Sequence, residues 1–191
     1  MSNKLHHGKT FNQVNYVNKQ LINNEFSNCV FIECDFKKSN FSNIDFVDCE
    51  FIACNFSLTI LKFAGLKNAH FKDCKIVGVD FSACNDFLFT VQFTDCSLDY
   101  ATFHSKSMKN TVFTNTILKE VDFSEANLMQ AVFKNCDLTR TVFDRSVLDK
   151  ADFSTSFNFD INPERNRMKK AIFSSEGLIG LLSKYDLVVK D

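Results

Sequence analysis

Residues 26–41 read FSNCVFIECDFKKSNF, with Phe at positions 26, 31, 36 and 41. A spacing of five residues fits neither the 3.6-residue period of an α-helix nor the two-residue period of a β-strand. A different backbone must therefore place an aromatic side chain at every fifth residue. Cys29 and Cys34 each lie two positions before a Phe, so thiol chemistry and core packing both have to be considered for this stretch.

The five-residue spacing continues through most of the chain. Large apolar side chains recur from Phe11 to Phe81 and again from Leu88 to Phe153. Phe81 and Leu88 are seven residues apart, which predicts a two-residue insertion near 86–87. The residue two positions before each large side chain is usually small, and the residue directly before it is often Asp or Asn.

A four-sided coil of twenty residues explains the order of these side chains. If stacked positions recur every twenty residues, with two more across the insertion, one side contains only Phe, at positions 11, 31, 51, 71, 93, 113, 133 and 153. About seven coils spaced roughly 4.8 Å apart would form a rod on the order of 35 Å long. Such coils bury their apolar residues against their neighbours and make backbone hydrogen bonds between coils.

The pattern small–Asp/Asn–Leu/Phe–Ser/Thr–x resembles that of the pentapeptide-repeat family. The segments ANLMQ (126–130), VDFSE (121–125) and ADFST (151–155) are close to the family consensus, and the match covers about residues 9–157. The resemblance implies an all-β fold, a right-handed quadrilateral β-helix with one pentapeptide per side. We therefore expect a flexible N-terminus at 1–8, the β-helix at 9–157, and a segment at 158–191 that caps the rod and mediates dimerisation.

Composition narrows the functional class. The net charge of −1 does not suggest a nucleic-acid binder. No run reaches the roughly 18 apolar residues of a membrane span, and the start, MSNKLHHGKTFNQ, lacks the apolar segment of a secretory signal. Eight Cys in this context indicate reduced thiols, and we expect a cytoplasmic protein.

All eight Cys occupy the small position of the repeat, which favours a packing role. Parallel thiols in one column do not converge as zinc ligands do, and stacked Cβ atoms would be too far apart for an ordinary disulfide. Cys is also a small, buriable residue that fills cores well. We expect no metal, cofactor or small-molecule substrate, and the absence of GxSxG, P-loop, GxGxxG and HExxH motifs predicts no enzymatic activity.

The repeat gives way to a different pattern after Phe153. Pro163 is predicted to stop the regular coil, and Ser174 or Ser175 could cap a short helix. Residues 187–189 read as a short strand. A cap alone would not need so apolar a surface, so we predict that it joins two copies in a homodimer. The dimerisation residues would be Leu178, Ile179, Leu181, Leu182 and Tyr185.

The tail resembles one branch of the family more closely. DINPERNR (160–167), followed by a Leu-rich helix and a Val-rich terminus, is similar to the tails of microcin-immunity and quinolone-resistance proteins, and VGVDFSACNDFLF (77–89) falls where those relatives break register. The resemblance implies a non-enzymatic, cytoplasmic homodimer joined tail to tail. It would bind type II topoisomerases, DNA gyrase above all, by imitating duplex DNA, and would protect them from drugs or toxins.

Two surfaces are candidates for contact with a partner. The densest carboxylates form the first surface: Glu33, Asp35, Asp45, Asp48, Glu50, Glu120, Asp122 and Glu125. The second surface is an apolar bulge at the insertion, where Leu58, Phe63, Phe87 and Phe89 fall on outward positions. The inserted residues could equally fold back and hide Phe63. The alternative function is a generic pentapeptide-repeat scaffold that binds an unrelated protein.

Overall fold

The computed structural model describes residues 4–87 and 89–188, in which eleven short strands precede two 3₁₀ helices. Each strand has three or four residues, because every five-residue repeat must also turn a corner. The strands are β1 Lys4–His7, β2 Thr10–Asn12, β3 Asn24–Ser27, β4 Val30–Ile32, β5 Asp45–Val47, β6 Glu50–Ile52, β7 Gly65–Lys67, β8 Ala69–Lys72, β9 Val91–Thr94, β10 Val112–Thr114 and β11 Val132–Lys134. The 3₁₀ helices are Glu176–Leu181 and Ser183–Tyr185.

The strands pair in parallel with the strand one coil away. One side of the coil carries the ladder β1-β3-β5-β7, and the adjacent side carries β2-β4-β6-β8-β9-β10-β11. Phe51 is in register with Phe71, a step of twenty residues, whereas Phe71 is in register with Phe93, a step of 22. The register therefore confirms both the twenty-residue coil and the two-residue insertion.

The other two sides of the coil meet through isolated bridges. Asn15 pairs with Asp35 on one of them, and Gln20 pairs with Asn40 on the other. These bridges recur along the chain with the same step as the strands, so four ladders surround one core. The quadrilateral β-helix predicted from the repeat is thus confirmed.

The large repeated side chains point inward and form a continuous core. Phe93 and Phe113 are fully buried. Rings in the all-Phe column stack face to face, with centroids 4.9 Å apart for Phe51 and Phe71. Rings on adjacent sides of a coil meet edge to face, as Phe51 and Phe56 do at 5.1 Å. Both geometries are favourable for aromatic pairs, so the Phe residues stabilise the rod along its length.

Residues in the left-handed conformation turn the corners. They lie two positions after the large side chain, as Glu33 (φ 52°), Lys38 (φ 56°) and Asn43 (φ 60°) do. The residue before the large side chain supports the turn: Asp35 Oδ1 accepts the N–H of Lys37 at 3.0 Å. Repeated local bonds of this kind let the chain turn its corners with only five Gly and one Pro.

Side chains at the small position of the repeat donate hydrogen bonds to the preceding coil. The Sγ of Cys54 donates to the carbonyl oxygen of Phe31 at 3.4 Å, and the Oγ1 of Thr59 donates to that of Phe36 at 2.8 Å. All eight Cys are buried free thiols. Burial raises the pKa of Cys49 to about 12. The cysteines are therefore core residues, as their position in the repeat predicts.

The first coil begins before residue 9. The predicted flexible N-terminus at 1–8 is wrong for Lys4–His7, which forms β1 and pairs with β3. His6 occupies the large inward position, and its ring stacks on Phe26 at 4.7 Å. A pattern of apolar side chains leaves out His, although its ring fills the same space.

The stack also continues beyond Phe157, where the sequence pattern ends. The ring of Phe173 stacks on Phe153 at 5.2 Å, and Arg167 bridges to Val147. The irregular segment between these positions is therefore followed by further coil on two sides of the rod.

The first 3₁₀ helix packs on the end of this last coil. Ser175 is the N-cap residue but makes no side-chain hydrogen bond to the helix, whereas the Oγ of Ser174, one residue earlier, accepts the N–H of Gly177 at 3.0 Å. Gly180 lies so close to Phe159 that a Cβ there would overlap the Phe159 carbonyl oxygen. The N–H of Ile161 donates to the Gly180 carbonyl at 2.9 Å. Glycine is thus required where the helix meets the coil.

The strand predicted at 187–189 is wrong within the described residues. Leu187 and Val188 have no regular structure and are exposed, and Val189 lies outside the described residues. Apolar, β-branched composition favours a strand only where a neighbouring strand is available to pair, and none of the described strands pairs with this segment.

Candidate partner-binding surface

Corner residues direct four of the candidate carboxylates away from the core. Glu33, Asp48, Glu120 and Glu125 all lie two positions after a large inward residue, with φ between 50° and 60°. Their backbone is already used to turn the coil, which leaves their side chains outside. The corners are therefore the places where this fold displays charge.

Asp35 and Asp122 also have a structural role. Asp35 Oδ1 accepts the N–H of Lys37 at 3.0 Å, and Asp122 Oδ1 accepts the N–H of Ser124 at 2.8 Å. Each carboxylate thus supports the corner that follows it. These two residues contribute charge to the surface, but their position in the repeat is explained by the turn.

The structure spreads the first group of carboxylates over several sides of the rod. Glu50 lies on the all-Phe side, in register with His70. Asp45 lies on the adjacent side, in register with Glu25. Asp35 lies on a third side. These charges are close in sequence but point in different directions, so they do not form one stripe.

Arginines of the next coil neutralise the second group. Glu120 forms an ion pair with Arg140, and Glu125 forms one with Arg145 at 2.8 Å. Ser105 Oγ also donates to Glu125 at 3.1 Å. The two residues of each ion pair are twenty residues, or one coil, apart in the sequence. Glu120 and Glu125 therefore add little net negative charge to the surface.

Two carboxylates that the sequence reasoning missed lie in the same corner column as Glu33. Counting along the chain, with two residues added at the insertion, places Asp73 two coils beyond Glu33 and Asp95 three coils beyond it. Gln13 donates to Glu33 at 2.8 Å, and Asn115 donates to Asp95 at 2.9 Å. Amide donors leave the negative charge in place, and no described Lys or Arg pairs with these acids. We call Glu33, Asp73 and Asp95 the acidic corner.

The twenty-residue column carried the signal for this corner. Reading charge along the chain favours acids that are near in sequence, whereas acids in one column are separated by whole coils. A search down each column, with two residues added at the insertion, would have found all three.

The insertion leaves Phe63 and Phe87 uncovered. The exposed fraction is 58% for Phe63 and 66% for Phe87, so the inserted residues do not hide Phe63. The ammonium groups of Lys62 and Lys67 lie 5.3 and 5.0 Å from the two ring centroids. Phe63 also has a φ of 59°, which a bulky residue rarely adopts. We call Leu58, Phe63 and Phe87 the apolar bulge.

Phe89 was predicted to face outward, and this is wrong, because it packs against the core. The neighbour that explains this is Lys106, whose side chain is buried at the small inward position. Lys106 Nζ donates to the Cys84 carbonyl at 2.5 Å and to Asp86 Oδ1 at 2.6 Å, and it lies 5.0 Å from the Phe89 ring. The insertion leaves room inside the rod that Phe89 and this ammonium fill together. The small inward position of the repeat normally carries a small side chain, so the sequence pattern did not predict that Lys106 would be buried there.

The family model described as "Pentapeptide repeat region" matches residues 24–86 and 86–157. The chain belongs to the pentapeptide-repeat family. No curated protein sequence matches it.

This pentapeptide-repeat chain is similar to several solved structures, and the first of those named here has the same fold. A trypsin-treated variant of QnrB1, a plasmid-mediated fluoroquinolone resistance protein, is 18% identical, with a TM-score of 0.62 and coverage of 100% of both chains. A second trypsin-treated QnrB1 variant is 20% identical, with a TM-score of 0.44 and coverage of 95% of this chain and 100% of the other. HetL, a pentapeptide-repeat protein from the cyanobacterium Nostoc that is involved in heterocyst differentiation regulation, is 15% identical over 88% of this chain and 86% of its own, with a TM-score of 0.36.

The C-terminal end of this pentapeptide-repeat rod exposes a group of apolar side chains. Leu178, Ile179, Leu182 and Tyr185 are exposed, whereas Leu181 packs against the core. Four of the five predicted dimerisation residues thus lie where a second molecule could reach them, and Leu181 serves the cap. We call the four exposed residues the C-terminal apolar surface.

The described residues contain no group of three or more His, Cys, Asp or Glu arranged to hold a metal ion. Within the same residues, no helix of the pentapeptide-repeat chain has the length and apolar character that crossing a membrane requires.

Proposed function

We propose that this pentapeptide-repeat protein is a non-enzymatic DNA mimic that binds type II topoisomerase, DNA gyrase or topoisomerase IV, and so confers resistance or immunity to quinolone- or microcin-like poisons. The observation that carries the proposal is the acidic corner. Its three carboxylates lie along one edge of a rod, with Ala53 between Glu33 and Asp73, and amides rather than cations donate to Glu33 and Asp95. A surface that binds DNA would accept such a rod in place of the duplex.

The acidic corner has a lower charge density than duplex DNA. Duplex DNA carries one charge per about 1.7 Å of its axis, whereas coils of this rod follow one another at roughly 4.8 Å. The acidic corner therefore resembles DNA in the sign of its charge, but it carries fewer charges per unit length. Binding to the topoisomerase should depend less steeply on salt than DNA binding does.

We further propose that the protein is a cytoplasmic homodimer joined through the C-terminal apolar surface. A tail-to-tail dimer buries the same four residues on both copies, as two-fold symmetry requires. It also doubles the length of the rod. Light scattering should show a dimer for the full chain and a monomer for a Leu178→Glu, Leu182→Glu double variant. A double variant that remains dimeric would remove this surface from the proposal.

A supercoiling assay with purified gyrase tests the main proposal. The full chain should restore supercoiling in the presence of a quinolone or a microcin. A variant with Glu33→Gln, Asp73→Asn and Asp95→Asn should lose this protection. A Glu120→Gln, Glu125→Gln variant is the matched control, because arginines already neutralise these two carboxylates in the natural chain. This variant should protect gyrase as the natural chain does.

Two results separate the parts of the proposal. A natural chain that neither rescues gyrase nor inhibits it at excess would show that the topoisomerase role is wrong. A triple variant that protects fully would keep the role but exclude the acidic corner as its basis.

The second candidate function is a generic pentapeptide-repeat scaffold for an unrelated protein. The apolar bulge favours it, because Phe63 and Phe87 are exposed beside cations rather than beside acids. Exposed aromatics of this size usually mark contact with a protein. A scaffold of this kind would leave gyrase unaffected at every concentration in the same assay.

A further inference from the structure

Three corners of the rod carry large apolar or aromatic residues in the left-handed conformation. The φ angle is 58° at Leu58, 59° at Phe63 and 62° at Tyr100. Side chains with a Cβ are strained in this region, and Asn and Asp tolerate it best. Every other described residue with a positive φ is Gly, Ala or a polar residue. These three residues therefore oppose the preference of the fold at the positions that they occupy.

The three corner residues are neighbours on the surface of the rod. Leu58 and Phe63 are the two corners of one side of a single coil, and Ile60 lies between them on that side. Tyr100 lies two coils beyond Leu58 in the same corner column, with Gly78 between them. The exposed fraction of all four large side chains is between 49% and 60%. We call Leu58, Ile60, Phe63 and Tyr100 the apolar band.

A groove of about 340 Å³ lies beside the apolar band. Residues 58–62 line one side of the groove, and Gly78, Asp80 and Ala83 line the other. Gly78 leaves space for the Leu58 side chain, because a Cβ on Gly78 would lie only 2.9 Å from Leu58 Cδ2. The groove is therefore a recess, next to exposed apolar residues, that a side chain of another molecule can enter.

The cations around the apolar band have no carboxylate partner among the described residues. Lys38 precedes Leu58 in its corner column, and Lys62 directly precedes Phe63. Neither lysine forms an ion pair with a described acid. The ammonium group of Lys62 lies 5.3 Å from the centroid of the Phe63 ring instead. Two positive charges beside the apolar band are thus available to a negatively charged partner.

The one carboxylate that lines the groove is engaged within its own repeat. Asp80 Oδ1 accepts the N–H of Ser82 at 2.9 Å and the hydroxyl of the same residue at 2.5 Å. Local bonds of this kind support the following turn of the chain. The position of Asp80 is therefore explained by the repeat, whereas the fold does not explain the apolar band.

We propose that the apolar band and its groove bind a segment of a partner protein in which apolar side chains alternate with carboxylates. The apolar side chains would cover Leu58, Ile60 and Phe63 and enter the groove. The carboxylates would pair with Lys38 and Lys62. This inference rests on the scaffold function proposed above and adds the chemistry of the partner. Strained residues commonly cluster at functional sites, where contact with a partner offsets their cost to the fold.

Four synthetic peptides of equal length test this chemistry by fluorescence anisotropy. The first alternates Glu with Leu and Phe, the second and third carry Gln or Lys in place of Glu, and the fourth keeps Glu but carries Ala in place of Leu and Phe. The first peptide should bind about tenfold more tightly than the Gln peptide, as a few screened ion pairs would provide. The Lys and Ala peptides should bind more weakly than the first, and added salt should reduce the preference for Glu over Gln.

A Leu58→Asn, Phe63→Asn double variant separates binding from stability. Asn18 and Asn43 occupy the same two corner columns, with φ angles of 57° and 60°. The variant should therefore unfold at the same or a higher urea concentration than the natural chain, yet bind the first peptide at least tenfold more weakly. Gln130→Asn is the matched control, because Gln130 is a corner residue on another edge of the rod, and it should leave peptide binding unchanged.

A second variant tests the charges. Lys38→Gln, Lys62→Gln should reduce the preference for the Glu peptide over the Gln peptide to less than about threefold, because it removes the partners of the carboxylates. Lys109→Gln is the matched control. Lys109 follows a large inward residue, as Lys62 does, but lies on another side of the rod, so the preference should persist.

Three outcomes would overturn the proposal. The first is a natural chain that binds the Glu, Gln and Lys peptides equally or binds none of them. The second is a folded double variant that keeps its affinity for the first peptide. The third is a double variant whose oligomeric state differs from that of the natural chain in light scattering, which would show that a second copy covers the apolar band.

The supercoiling assay distinguishes this proposal from the topoisomerase role. A natural chain that protects gyrase but does not bind the first peptide would refute the present proposal and leave the topoisomerase role intact. A natural chain that binds the peptide selectively but leaves gyrase unaffected would support the present proposal and refute that role.

Discussion

Replacing Lys106 with Met should destabilise the fold by about 1–3 kcal/mol, because a buried carbonyl loses its donor. Lys106 Nζ donates to the carbonyl oxygen of Cys84 at 2.5 Å and, more weakly, to that of Ser82 at 3.4 Å. Met keeps nearly the same length and apolar stem, so the change isolates the ammonium group. The insertion, rather than the regular coils, should respond.

The magnitude follows from which partners are buried. The unpaired Cys84 carbonyl accounts for the main cost of about 1–3 kcal/mol. The ion pair with Asp86 adds less than about 1 kcal/mol, because the Asp86 side chain is 87% exposed and water screens it. Removing a charge from the core offsets part of the loss. Lys106→Ala should cost about 2 kcal/mol more than Lys106→Met, because it also leaves a cavity.

Urea unfolding measures the global effect, and hydrogen exchange locates it. The N–H of Asn85 donates to the Ala64 carbonyl at 2.9 Å, and the N–H of Phe89 donates to the Asp86 carbonyl at 3.3 Å. Both amides should exchange faster in Lys106→Met, while amides of distant coils should not. Lys109→Met is the control, because Lys109 is exposed, and it should stay within about 0.5 kcal/mol of the natural chain.

The reasoning would be refuted if Lys106→Met unfolded at the same urea concentration as the natural chain and left both amides protected. That result would mean that the insertion holds its conformation without the ammonium group. The contacts of Lys106 would then be a consequence of the fold and not one of its supports.

Three further predictions concern other parts of the rod. The eight thiols should resist alkylation in the folded protein and all react in urea, because all eight are buried; rapid labelling without denaturant would contradict this. The Lys169 N–H and nearby cations hold the pKa of Asp149 below its usual value, so its contribution to stability is complete above pH of about 4 and is lost as the pH falls through the lowered pKa. Asp149→Asn should therefore be less stable than the natural chain in urea at neutral pH but no less stable in strong acid. Gly180→Ala should loosen the C-terminal cap, because its Cβ would overlap the Phe159 carbonyl, and limited proteolysis should then cut after the last coil more quickly.

The repeat determined the coil because its information is local. Five residues contain one inward large side chain, one inward small side chain and one corner, so each repeat specifies its own turn. The register of Phe71 with Phe93 shows that even the insertion can be read from spacing alone. The buried cysteines follow from the same rule, since the small position is always inside.

The candidate site could be predicted only in part, because partner contact depends on outward side chains. The outward position of Phe63 follows from the repeat, but its exposure, the exposure of Phe87 and the inward turn of Phe89 all depend on how the insertion folds. The repeat does not encode which outward charges meet. Whether the surface at Glu120 presents net negative charge to a partner depends on Arg140, one coil away.

The sequence by itself determined the four-sided coil, its register and its apolar core. Only the tertiary structure decided which charges remain unpaired, how Lys106 supports the insertion, and that His6 completes the first coil. The physical reason is the difference in range. Burial of every fifth side chain is a property of one repeat, whereas pairing between side chains arises only after coils stack and bring together residues twenty or more positions apart.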